Sequence, residues 1–143
     1  MYKREKKRMK IKYAYRKRIE FYLINFDLIL HSQVGQKVRA RVPFKSKKIY
    51  HKKKYREFLV RDEDMRWAQC SKRVLDGITY TSQHRMFYLV FINGEEINEV
   101  CDKVGIVKST YFEWIKELMW TVLTALAMDG IFESEDVTAV LEF

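Results

Sequence analysis

Charge is distributed along this chain in a way that limits what each part can become. Residues 1–56 hold 20 of the 28 Lys and Arg residues and only 3 acids, a net of +17. Residues 57–143 hold 8 basic and 16 acidic groups, a net of −8. Like charges at that density repel one another, so the first dozen residues are expected to be disordered in the free chain. Regular, packed structure is expected further on. A strongly basic front joined to an acidic back also points to a polyanionic partner at one end.

Length and composition narrow the class. At 143 residues, one domain with an extension is expected, and 48% apolar with 33% charged residues excludes wholesale disorder. Five Gly and one Pro exclude collagen-like or linker-like chains. Cys70 and Cys101 are the only cysteines, too few for a disulfide framework, and Cys101 reads as a buried free thiol. Neither they nor His31, His51 and His84 have metal-ligand spacing, so no metal and no cofactor is expected. The basic start followed by Phe21-Tyr22-Leu23-Ile24 imitates a secretion signal, but Asn25 and Asp27 interrupt it and no small-residue cleavage site follows. The run is too short to span a bilayer. A cytoplasmic protein with no membrane partner is expected.

Three regions follow. Residues 1–32 form a basic N-terminal arm and a helix over 16–31, where Ile19, Leu23, Phe26 and Leu30 recur at three- and four-residue steps. Residues 33–56, with Gly35, Pro43 and the alternating basics Lys37, Arg39 and Arg41, read as a basic loop or β-ribbon. Residues 57–143 read as a helical domain. Asp62, Glu63 and Asp64 suit a helix N-terminus, and Trp67, Cys70, Val74 and Leu75 give that helix an apolar stripe ending near Gly77. Thr81 or Ser82 is expected to cap a helix running to about Ile92, followed by a turn at Asn93-Gly94. The tail holds Asp129, Glu133, Glu135, Asp136 and Glu142 and no base, while Ile131, Val137, Val140, Leu141 and Phe143 suggest that part of it packs.

Residues 95–127 are the most informative. A helix-turn-helix needs a short helix, a tight turn and a second helix packed across the first. Ile97, Val100, Cys101 and Val104 supply an apolar stripe, Gly105 suits a positive-φ turn, and Ile106 can plug the core beneath it. At about 100° per residue, Tyr111, Trp114, Ile115, Leu118 and Val122 fall in one arc of the second helix. Ser109, Phe112, Glu113 and Lys116 fall in another, with Lys108 at its edge. The polar arc is where a recognition helix presents side chains to a major groove. An ordinary helical hairpin in a core has the same pattern, and the basic front favours the DNA-binding alternative. After Leu118 the second helix is apolar all round, with Trp120 and Leu123 opposite the core arc, so the N-terminal helix or a second copy must cover it. A homodimer is expected, since two half-sites add specificity.

The stretch from Thr81 to Ala127, about a third of the chain, resembles a sigma-region-4-like helix-turn-helix. More narrowly it resembles late-transcription regulators of phages and pathogenicity islands of the ArpU/RinA type, including LtrC-like proteins. The residues that carry this are Met86-Phe87-Tyr88-Leu89-Val90-Phe91-Ile92-Asn93-Gly94, Glu96-Ile97-Asn98-Glu99-Val100-Cys101, and Val104 through Trp114 with its Lys108-Ser109-Thr110-Tyr111 run. The resemblance implies activation of late or packaging-linked transcription in a bacterial host by binding DNA near a promoter. The family pattern has Ser or Thr just after Gly-Ile. Here Val107 stands there, which moves the expected cap to Ser109 and shortens the helix start.

The expected architecture is therefore mainly α: a helical bundle with a C-terminal helix-turn-helix and a basic, partly irregular N-terminal region. Base reading is assigned to Lys108, Ser109, Thr110, Phe112, Glu113 and Lys116. Residues 89–117 carry a net of −3, so phosphate contacts, which dominate DNA affinity, must come from the front. The candidates are Lys3, Arg4, Lys6, Lys7, Arg8, Lys10, Lys12, Arg16, Lys17 and Arg18, then Lys45, Lys47, Lys48, Lys52, Lys53 and Lys54. The partner is double-stranded DNA, with RNA polymerase a further candidate at the acidic tail. No catalytic constellation is present, so neither enzymatic activity nor a small-molecule substrate is expected. A small terminase-type packaging protein is the main alternative. A basic RNA-binding protein is weaker, because an aromatic platform on a sheet and an RGG-like segment are both missing.

Overall fold

The computed structural model describes residues 10–43, 53–131 and 141–142. Within them the chain is mainly helical, with two antiparallel strand pairs. The arm is shorter than expected. Strand β1 (Lys10–Ile11) pairs with β4 (Leu141–Glu142), and helix α1 (Tyr13–Leu30) begins ahead of residue 16. Two residues of the stretch expected to be disordered are thus paired, because Ile11 is a buried apolar residue that a strand can hold against the core. Residues 1–9, with Lys3, Arg4, Lys6, Lys7 and Arg8, lie outside the described residues.

Helix α1 buries Ile19, Phe21, Tyr22, Leu23, Asn25 and Ile29. Asn25 is a polar residue with a structural task. Its amide donates to the carbonyls of Phe21 and Arg41, both at 2.8 Å, and its oxygen accepts the Arg41 N–H at 2.9 Å. It thereby docks strand β2 (Lys37–Val42) onto the helix. Strand β3 (Lys54–Leu59) completes the expected ribbon and carries it past residue 56, with Lys37 opposite Leu59 and Val42 opposite Lys54. Val38 and Ala40 face inward while Lys37 and Arg39 are exposed, the period of two that a half-buried strand requires. The ribbon's connection, residues 44–52 with Lys45, Lys47, Lys48 and Lys52, lies outside the described residues.

Helix α2 (Asp62–Asp76) packs along α1, and its first turn holds the three expected acids. Trp67 lies against Tyr22, ring centroids 5.1 Å apart. Gly77 ends the helix with a right-handed φ of −80°, so no left-handed cap is involved.

Helix α3 (Thr81–Phe87) passes into a π-helical turn over Tyr88–Ile92, so the helix expected to reach Ile92 widens before it ends. Tyr80 is its N-cap and makes no side-chain cap bond. Thr81 is already helical, and neither it nor Ser82 caps, contrary to expectation.

Helices α4 (Ile97–Val104) and α5 (Lys108–Met128) complete the domain. The apolar second half of α5 buries Leu118, Met119, Val122, Leu123 and Leu126, with α1 and α2 of the same chain packed against the helix. Leu123 is thus buried within this chain, whereas Trp120 is only half-buried. An ion pair between Arg73 and Asp129 ties the end of α5 to α2, and Ile131 packs on the core behind it. Val137, Val140 and Phe143 lie outside the described residues. No helix among the described residues is long and apolar enough to cross a membrane.

Candidate nucleic-acid interface

The α4–α5 unit is built on a single left-handed residue. The apolar stripe of α4 buries Val100 and Cys101, with Ile97 and Val104 packed half-exposed beside them. The helix stops at Gly105, φ +77°, whose N–H and that of Ile106 both return to the Cys101 carbonyl at 2.8 and 3.1 Å. A residue with a Cβ is strained there, so glycine sets where α4 ends. Ile106 packs half-buried under the turn. Val107 adopts an extended conformation as N-cap, and α5 starts at Lys108.

The cap expected at Ser109 is therefore not formed. Ser109 lies inside the helix, and no side chain caps α5. Burial of Tyr111, whose N–H bonds the Val107 carbonyl at 3.1 Å, holds this register against the poorer cap.

Along α5, Tyr111 and Leu118 are buried, and Trp114 and Ile115 pack on the core. Trp114 meets Tyr80 edge-on at 5.8 Å. On the other side Lys108, Ser109, Phe112, Glu113 and Lys116 are exposed, and Thr110 is half-exposed. Phe112 is 39% exposed and sits edge-on to Tyr111 at 5.3 Å. The structure thus brings the six residues assigned to base reading onto the accessible part of one helix. Lys103 on α4 pairs with Glu95, just ahead of that helix, and so offsets one acid only.

The assigned phosphate cations divide. Lys10 and Lys54 are exposed. Lys12 is the N-cap of α1. Arg16 lies 5.5 Å from the Tyr13 ring, and Lys17 shares that ring and pairs with Glu20 at 3.0 Å. Arg18 is committed within the fold: it pairs with Glu63 at 2.7 Å and lies 4.1 Å from the Trp67 ring. Lys53 donates to the Asn93 carbonyl at 3.0 Å.

The ribbon carries further cations beyond those the sequence singles out for phosphate contact. Lys37, Arg39, Arg41 and Arg56 lie on β2 and β3, with Arg39 5.0 Å from the Tyr55 ring. The alternation of Lys37, Arg39 and Arg41 with Val38, Ala40 and Val42 was the available signal: it marks a strand with one basic face. Arg41 also donates to the Phe91 carbonyl, a contact between residues 50 apart that no local pattern reveals.

No protein-family model, curated protein or solved structure matches the chain.

Proposed function

We propose that this protein is a sequence-specific double-stranded-DNA-binding transcriptional regulator, with α4 and α5 as a helix-turn-helix and α5 as the recognition helix. The observation that carries the reading is the two-sidedness of α5 after the Gly105 turn. Tyr111 and Leu118 are buried, and Lys108, Ser109, Phe112, Glu113 and Lys116 are exposed on its first turns. Those side chains include donors, an acceptor and an apolar ring, the groups that read base edges and thymine methyls. Activation of late or packaging-linked genes, bacterial cytoplasmic location at the nucleoid, and contact of the acidic tail with RNA polymerase follow from the resemblance and belong to the same proposal. A homodimer remains part of the reading through paired half-sites.

Selection of bound duplexes from a randomised pool tests this. A discrete enriched motif, protected as one site in footprinting, is the expected result. Equal retention of all sequences would overturn it, and a many-subunit ring in light scattering would favour the packaging alternative.

A further inference from the structure

We propose that the β2–β3 ribbon is the phosphate-gripping part of the α4–α5 unit, latched beside it at Gly94 and contacting the backbone of the duplex that α5 reads. The inference rests on the helix-turn-helix reading of α4–α5 and deepens it.

A charge deficit motivates it. Residues 89–117 carry a net of −3, and a DNA-reading surface of that sign repels phosphate. The ribbon has the opposite character. Lys37, Arg39, Arg41, Lys53, Lys54 and Arg56 lie within it or at its edge, and Glu57 is the single acid among the described residues 37–42 and 53–59. Its outward face carries Lys37, Arg39 and Tyr55 together with Glu57 and Leu59, with Arg39 packed over the Tyr55 ring. Cations and a phenol hydroxyl are groups that contact phosphates and fix a protein's register on DNA.

Placement is the second observation. Arg41 donates to the Phe91 carbonyl and Lys53 to the Asn93 carbonyl, so two ribbon cations meet the carbonyl end of the π-helical turn, where the helix dipole favours them. Between them lies Gly94, φ +66°. A Cβ there would stand 2.6 Å from Arg41 Nη1 and 3.0 Å from Lys53 Cε. The two cations therefore close over a residue with no side chain. Asn25 fixes the Arg41 backbone from the other side through two hydrogen bonds. Asn93 and Gly94 lead into α4, and in a helix-turn-helix the first helix crosses the phosphate backbone. The latch thus brings the ribbon's basic end to the place where the acidic α4–α5 unit lacks positive charge.

The full chain is titrated with a mixed-sequence DNA duplex at a series of salt concentrations. The triple variant Lys37→Ala/Arg39→Ala/Lys54→Ala, all at exposed positions, should lose at least about ten-fold in affinity and shed about 0.9 of salt slope for each phosphate contact removed. Gly94→Ala leaves the net charge unchanged; it displaces the ends of two flexible side chains and, at φ +66°, also strains the local backbone. It should weaken binding comparably while keeping the helical circular dichroism. If both variants keep wild-type affinity and slope, the ribbon proposal is overturned and the α5 reading stands. If the triple variant weakens binding and Gly94→Ala does not, the latch is overturned. A wild-type chain that binds no duplex, or prefers single-stranded RNA, overturns the ribbon proposal together with the reading beneath it.

Discussion

The Tyr22 hydroxyl donates a hydrogen bond to the buried carboxylate of Asp64 and so joins α1 to α2. Asp64 also accepts the Arg61 backbone N–H at 2.7 Å, which closes the first turn of α2. One carboxylate therefore caps a helix and anchors its neighbour. Burial first, and then the bond to Asp64, raise the Tyr22 phenol above its ordinary value of 10.0. Tyr22→Phe leaves a buried acceptor short of its partner and should cost about 1–3 kcal/mol of stability, read as a lower urea midpoint. The pH dependence has a definite sign. A raised folded-state value means the contribution is complete below the ordinary value and is lost as pH climbs past it. The stability gap between wild type and Tyr22→Phe should therefore narrow above about pH 10. A gap that stays constant through that range would remove Tyr22 as its source.

Val107 is 65% exposed and has the extended backbone of an N-cap, yet its side chain has no acceptor for the first-turn N–H groups of α5. Val107→Ser supplies one for the N–H of Ser109 or Thr110 at little steric cost. It should stabilise the protein by about 0.5–2 kcal/mol. Thermal melting checks this, and a lower melting temperature would show that the Val107 backbone is set by something other than the start of α5.

The elements that could be read from the sequence are those in which a short-range pattern coincides with burial. Ile19 and Leu23 mark α1, Trp67 and Cys70 mark α2, and the stripe of α4 followed by Gly105 marks the turn. What could not be read depends on partners distant in the chain. Asn25 looks like a flaw in an apolar run until Arg41, 16 residues on, takes two of its three hydrogen bonds. Lys10 pairs with Glu142 across nearly the whole chain. The cap expected at Ser109 follows local propensity, which the tertiary burial of Tyr111 outweighs. The same limit applied at the candidate site. The exposed arc of α5 was legible because helical period fixes it, whereas the contacts of Arg41 and Lys53 with residues 91–94 were not.

Cys70 is 1% exposed, and burial, with Asp129 adding to it, pushes its thiol up to about 11. The thiolate is the reactive form, so at pH 8 the folded protein should react slowly with a disulfide reagent. Cys101 is buried too, and burial likewise raises its thiol. Both should label together as urea unfolds the chain. Rapid stoichiometric labelling of Cys70 in native buffer would show that the α2–α5 contact at Arg73 and Asp129 opens readily.

Gly105 and the exposed arc of α5 predict two separable losses. Gly105→Ala forces a Cβ into φ +77° and should cost about 1 kcal/mol of stability, which also loosens the angle at which α5 is held. Ser109→Ala and Glu113→Ala leave the core untouched, since both side chains are exposed. Each should relax preference at particular base pairs by about 1–3 kcal/mol while leaving melting temperature and salt slope as in wild type. Lys108→Ala should do the same and lower the slope by about 0.9 if its ammonium meets a phosphate. Phe112→Ala should reduce discrimination for thymine, because an exposed ring can pack on its methyl group. The measurement is the selected motif for each variant, compared position by position. Motifs identical to wild type for all four variants would exclude α5 as the reading helix, however tightly the protein bound DNA.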